Sequence, residues 1–389
     1  MDNKKLIPNL RFPEFNNSWE EKRLEEITTK ISDGIHSTPK YNNSGKYYFI
    51  NGNNLVNGKI KVNSNTKKVS TNEFDKHKRD LNSNTLLLSI NGTIGNLAYY
   101  NNESIILGKS ASYINIEKKY PVSYYYYILQ SPRIKKYFLS ELTGSTIKNL
   151  SLKTIKNCRL YSPQLSEQEK IASFLTDVDS KLTQLTKKKA LLENYKKGVM
   201  QKIFNQKIRF KDNKGNNFPK WEEKTLGEVL DYEQPTKYIV SSTEYQNNFK
   251  TPVLTAGKTF LLGHTNEVNN IFTNLPVIIF DDFTMANKFV DFDFKVKSSA
   301  MKILKPKSSK INLKFIYESI QLIKYPKGDE HKRFWISEYS KINIKYPCLE
   351  EQEKIANFLS EIDNKIKTLN TNIENNKVFK KGLLQKMFV

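Results

Sequence analysis

Pro163–Leu175 reads PQLSEQEKIASFL, and Pro347–Leu359, 184 residues further on, reads PCLEEQEKIANFL. The correspondence continues ungapped into YKKGVMQKIF at Tyr195–Phe204 and FKKGLLQKMF at Phe379–Phe388, and the same offset pairs Gly144 with Gly328 and Lys148 with Lys332. Upstream, SWEEK at Ser18–Lys22 matches KWEEK at Lys220–Lys224 at an offset of 202, so the length difference falls between Leu24 and Gly144. The chain is two copies of one unit: a Trp-containing lead-in, a block whose sequence differs between copies, and a repeated segment.

Each repeated segment places apolar residues at alternating steps of four and three. In the first copy these are Ile171, Leu175, Val178, Leu182, Leu185 and Leu192, with Lys189 and Lys196 interleaved. In the second they are Ile355, Leu359, Ile362, Ile366, Leu369 and Ile373, followed by the polar Asn376 and Lys380 and then Leu383 and Met387. That period makes a narrow heptad seam and predicts two long helices, over 165–206 and 349–389, that pair with one another. Pro163 and Pro347 stand just outside, and Ser166 with Glu169 reads as a capping box. About 38 helical residues span ~57 Å. A repeat within one chain implies an internal two-fold, hence an antiparallel pair with a domain at each end. Gly198 and Gly382 interrupt the seam at up to ~1 kcal/mol each against Ala, which points to a close backbone approach or a hinge.

The two differing blocks, 25–143 and 227–327, alternate short apolar runs with turn signals. Thr85–Ile90 and Pro276–Phe280 are strand candidates; Asn51-Gly52, Asn57-Gly58, Asn91-Gly92, Gly257-Lys258 and Gly263-His264 are turns. Helices are expected at Val122–Leu139 and Leu313–Ile323. The fold class is α+β: two α/β domains, 1–164 and 207–348 with their lead-ins, separated by two long antiparallel coiled-coil helices, in an internal pseudo-two-fold repeat.

A chain of 389 residues is enough for two cores. Its 63 Lys and Arg against 40 Asp and Glu leave a formal charge of +23, which calls for a polyanionic partner unless it reflects only a Lys- and Asn-rich coding bias. No run approaches the ~18 apolar residues of a membrane span, and Met1–Asn9 lacks the apolar core of a signal peptide. A soluble, cytoplasmic protein that contacts no membrane is expected. Cys158 and Cys348 are isolated from one another, which excludes a disulfide framework and a Cys-pair zinc site.

Basic, polar and aromatic residues cluster in the expected loops, where Lys and Arg suit phosphates and Asn, Gln, Ser, Thr, Arg and Lys suit base edges. The candidates for DNA contact in the first block are His36, Ser37, Thr38, Lys40, Tyr41, Asn91, Thr93, Thr146, Lys148 and Asn149. In the second block they are Gln234, Lys237, Tyr238, Lys258, Thr259, His264, His331, Lys332 and Arg333.

Catalytic patterns are missing. His36, His77, His264 and His331 show no metal-ligand spacing. Thr255–Thr259 ends like a phosphate-binding loop, but Pro252 occupies the position that needs Gly. Asp281-Asp282 reads better as a turn after a buried strand than as a nuclease carboxylate pair, because no Lys or third acid follows in spacing. Neither a Gly-rich loop for a methyl donor nor the Asn-Pro-Pro-aromatic tetrapeptide of amino-methylating enzymes is present. No catalytic residue, bound metal or cofactor is assigned to this chain.

With PQLSEQEKIASFL, PCLEEQEKIANFL and the paired KKG helices, the sequence resembles the specificity subunits of type I restriction-modification systems over essentially its whole length. Phe12-Pro13-Glu14-Phe15 with Trp19, and Phe218-Pro219-Lys220-Trp221, are similar to the segments preceding each recognition domain in that family. Asp33-Gly34-Ile35-His36 and Phe280–Thr284 look like motifs of particular recognition-domain types. The resemblance implies that the two domains recognise an asymmetric bipartite target on double-stranded DNA. It also implies two modification subunits carrying S-adenosylmethionine and two motor-nuclease subunits using ATP and Mg, docked on outward helix faces. From the residues alone the reading reaches a two-domain DNA-binding scaffold; a free-standing regulator or a fused enzyme stays open as an alternative.

Overall fold

The computed structural model describes residues 7–144, 148–256, 259–323 and 334–389. It divides into two compact units, Met1–Lys187 with Asn370–Val389, and Lys188–Leu369. Each unit therefore owns one domain and part of both long helices, so the spacer helices are not bodies of their own.

In the first unit a four-stranded antiparallel sheet has the order Thr28–Asp33, Ala111–Ile116, Thr85–Ser89, Leu97–Tyr99. Thr85–Ser89 is buried at every position because it is paired on both sides and covered on both faces. Asn57 and Gly58 take φ of 50° and 77°, the left-handed pair that closes a tight hairpin between Leu55–Val56 and Lys59–Ile60. The helix expected over Val122–Leu139 breaks in two, Val122–Ile128 and Pro132–Ser140, because Pro132 has no N–H to continue the first piece and Ser131 Oγ caps the second.

The second unit repeats this plan: Leu230–Glu233, Met301–Pro306, Val277–Asp281 and Asn287–Val290 occupy the same order. A three-stranded sheet of Leu261–Thr265, Thr251–Leu254 and Lys295–Val296 flanks it. The helix Leu313–Ile320, capped by Asn312, is shorter than the expected Leu313–Ile323, whose last three residues leave the helix.

The long helices are Leu165–Phe204 and Leu349–Lys386. Ile171, Leu175, Val178, Ile355, Leu359, Ile362, Leu369 and Ile373 are buried; Leu182, Leu185, Leu192 and Ile366 are half-buried. The pairing is antiparallel in each unit. In the first, Ile171 and Leu175 share a core with Leu383, Met387 and Phe388; in the second, Met200 and Ile203 share one with Ile355 and Leu359. Burial of each such side chain contributes about 1.5–3 kcal/mol.

Two expectations are corrected here. Ser166 lies inside the first helix, whose start at Leu165 is tied down by Gln168 Nε2 donating to the Pro163 carbonyl at 2.8 Å. Gln352 does the same to Pro347. A Cβ on Gly198 or Gly382 would meet nothing within 4 Å, so no backbone approaches closely at either glycine.

The doubled Glu-Gln signature has a structural cause. Glu167 is fully buried and accepts from Arg11 Nε and Nη2 at 2.8 and 2.7 Å and from Trp19 Nε1 at 3.3 Å. Glu351, also fully buried, accepts from Arg209 Nε and Nη2 at 3.1 and 2.6 Å and from Trp221 Nε1 at 2.8 Å. Each lead-in is thus locked to the start of a long helix by a bidentate ion pair and an indole. The end of the other helix closes the same nook, Phe388 on Trp19 and Phe204 on Trp221, both edge-on.

Candidate nucleic-acid interface

Strand register decides where the loops go. In the first unit Asp33 and Ser89 end their strands opposite Ser112 and Ala111, where the antiparallel middle strand begins. The loops after Asp33, after Ser89 and before Ala111 therefore leave from one end of the sheet. Two more segments join them: Gly52 N donates to Ser110 Oγ at 2.9 Å, and Asn91 forms a bridge with Asn149.

The predicted contact residues gather there. His36, Ser37, Thr38, Lys40 and Tyr41 are exposed while Gly34, Ile35 and Pro39 are buried beneath them. His36 Nε2 lies 2.8 Å from Asp33 Oδ2, and Lys67 Nζ lies over the Tyr41 ring, 5.9 Å from its centroid, a cation on an aromatic face. Gly34 permits this layout, since a Cβ would fall 2.1 Å from the Leu107 carbonyl oxygen. Thr93 and Lys148 are exposed; Asn91 and Asn149 are half-buried. Thr146 lies outside the described residues. Sequence reasoning missed Asn53, Lys67 and Lys109, exposed residues that reach this end only through pairing.

In the second unit the loops after Glu233 and Asp281 and before Met301 leave together, by the same register argument. The hairpin after Leu254 joins them, because Lys297 N donates to the Leu254 carbonyl at 2.8 Å. Gln234, Lys237 and Thr259 are exposed in these loops. Tyr238 is different: its hydroxyl donates to Glu233 at 2.7 Å, its ring packs edge-on against Phe272, and burial together with Glu233 pushes the phenol up to about 12. It supports the loop. His264 is half-buried in a strand opposite Pro252, away from the hairpin tip, and is not brought to the loop cluster. Lys258, His331, Lys332 and Arg333 lie outside the described residues.

The Asp281-Asp282 pair is a turn. Asp281 accepts from the backbone N–H of Phe283 and Thr284 at 2.9 and 3.2 Å and from the Thr284 hydroxyl. Asp282 accepts from Trp335 N at 2.8 Å and lies 3.5 Å from Lys302 Nζ. With both carboxylates so engaged, what the turn offers outward is Phe283, Thr284 and Ala286. Exposed Lys297 and Ser299 stand in the neighbouring loop; both were missed because only the register brings them there.

The arrangement can present donors, acceptors and cations to an anionic surface. Of the acids nearest the loops, Asp33, Glu233, Asp281 and Asp282 each have partners, and among the described residues Lys40, Lys67, Lys109, Lys148, Lys237 and Lys297 are exposed cations of these loops. Among the described residues no group of three or more His, Cys, Asp or Glu could hold a metal, and no helix is long and apolar enough to cross a membrane. Burial pushes the Cys158 thiol up to about 12, so it is an inert core group.

Residues 16–194 and 219–376 each match the type I restriction modification DNA specificity domain. The chain belongs to the type I restriction-modification specificity family. It is 51% identical over 142 residues to the EcoR124I/EcoR124II specificity subunit of Escherichia coli, a match covering 35% of each chain. It is 27% identical over 321 residues to the MjaVIII specificity subunit of Methanocaldococcus jannaschii, covering 74% of each. In fold it is similar to the type I restriction-modification S subunit from M. genitalium, with a TM-score of 0.65 at 19% identity over 98% of this chain and 99% of that one. A chain from another type I system gives 0.52 at 13% identity over 94% and 96%. The family's two-domain plan with long paired helices is the plan found in this specificity chain.

Proposed function

We propose that this specificity chain is a non-catalytic DNA reader in which each unit reads one half of an asymmetric bipartite target. One observation carries the reading. In both units a repeated frame delivers four or more polar and basic loops to one end of the sheet, and the residues in those loops differ between units. Lys side chains neutralise phosphates with little regard to sequence, and Asn, Gln, Ser and Thr on rigid turns read base edges at about 1–3 kcal/mol per good bidentate contact. Two readers on one face of a duplex address sites about one turn, ~10 bp, apart.

The chemistry then belongs to partners: two modification subunits that bind S-adenosylmethionine and methylate adenine, and two motor-nuclease subunits that use ATP and Mg. Both sets dock on this scaffold in the cytoplasm. The test is mapping of methylated adenine by long-read sequencing in cells that express this chain with its modification subunit, and in cells that express either alone. The expected outcome is one asymmetric bipartite motif, modified only when both are present. Methylation by this chain alone, or no motif with both, overturns the proposal.

A further inference from the structure

Phe283 sits at the tip of the turn after Val277–Asp281, in the loop cluster of the second unit. It is 49% exposed, between polar neighbours, at the strand end that in the first unit carries Asn91, Gly92 and Thr93. The turn beneath it is over-determined. Asp281 holds the N–H groups of Phe283 and Thr284, Met285 N returns to the Asp281 carbonyl at 2.9 Å, and Met285 takes a left-handed φ of 61°. Asp282 fastens the far side to Trp335 N. An exposed apolar ring is thus carried on a pinned backbone turn, in the same loop cluster as the exposed cation Lys297. Such backbone preorganisation favours binding, since little backbone entropy remains to be lost.

The geometry points to Phe283 as a specificity-determining residue that contacts the 5-methyl group of one thymine in the half-target read by the second unit. The duplex surface is polar or charged almost throughout, and in the major groove the thymine methyl is the one apolar feature that distinguishes a base pair. An exposed aromatic ring on a pinned turn among hydrogen-bonding loops complements that feature; against cytosine it meets a donor and no methyl. This inference rests on the DNA-reading function proposed above.

The experiment uses the complex of this chain with its modification subunit. Binding is measured on duplexes in which each thymine of the half-target is replaced singly by deoxyuridine, which removes only the methyl. Residues 207–348 are first exchanged for another domain to identify which half they read. At one position deoxyuridine should weaken wild-type binding about fourfold, the scale of one buried carbon group. Phe283→Ala should bind the unmodified target equally weakly, lose its sensitivity at that position, and relax the methylation motif there alone; Phe283→Leu should retain the preference. An unchanged motif and deoxyuridine profile in Phe283→Ala overturns the inference, and so does a weakening independent of sequence, which would make the ring a general wedge or packing group. Absence of any bipartite motif with the wild-type complex is the separate failure of the reading itself.

Discussion

The loop after Ser89 and the loop after Asp281 leave equivalent strands of the two units' equivalent sheets, yet one offers Asn91 and Thr93 and the other Phe283 and Thr284. Behind them the frame barely changes: Arg11, Glu167 and Trp19 in one unit, Arg209, Glu351 and Trp221 in the other, in the same roles. Exposed tips contribute little to burial and can differ freely. The buried carboxylate is different in kind, because any partner it loses leaves a charge out of water. A repeat under these constraints keeps its joints and varies its readers.

The comparison breaks most visibly at the joint. Arg209→Ala leaves the fully buried Glu351 carboxylate without its cation, and should cost about 3–5 kcal/mol in denaturant unfolding of the second unit. Arg11→Ala, which does the same to Glu167, should cost the first unit a similar amount. If one proves near neutral, the two joints are not equivalent.

A smaller effect separates the units at the helix pairing. Lys196 Nζ binds Asp363 at 2.7 Å and the fully buried Glu318 at 3.0 Å, with Lys314 completing the cluster at 2.9 Å from Glu318. The matching Lys380 binds Asp179 at 2.6 Å beside neutral Tyr127, whose hydroxyl donates to Asp179 at 3.1 Å. Lys196→Ala should therefore cost more than Lys380→Ala, about 2–3 against ~1 kcal/mol, since only the first leaves a buried carboxylate short of a cation. Burial opposes ionisation of Asp363, but the hydrogen bond and charge of Lys196, with those of Lys314, outweigh it and hold the carboxyl below its ordinary value. Its contribution is complete above the unfolded value near ~4 and is lost as pH falls through the lower folded value. Acid titration of Lys196→Ala should show less of that loss than wild type, and equal losses would remove Asp363 from the account.

Least costly is Gly198→Ala. With nothing within 4 Å of the added Cβ, the helix should gain about 0.5–1 kcal/mol, read as a higher Tm. A loss there would mean that the free chain packs against this face after all.

Much of the architecture was legible because periodicity survives translation into space: the 184-residue offset and the four-three spacing encode helices and pairing directly. The loop residues from His36 to Tyr41 were legible too, since turn chemistry is local. What stayed hidden depends on register. Lys67, Lys109 and Lys297 become neighbours of the loops through strand pairing that no local pattern announces. Tyr238 looked like a contact residue, yet its hydroxyl is committed to Glu233. Ser166 looked like a cap because its spacing to Glu169 fits one, although the helix had begun at Leu165. Arg11 and Arg209 passed unnoticed in short lead-ins where one Arg is unremarkable until its buried acid is known.

The helix ion pairs carry one more consequence. Asp179 and Lys196 lie in the first repeat, Asp363 and Lys380 in the second, and each bridge joins an acid of one repeat to a base of the other. A seam written this way is a palindrome: a single repeat carries both letters and is its own complement. Duplicating such a segment yields a matched pair at once, with no period of mismatch between halves, and each half is then free to acquire a different tip.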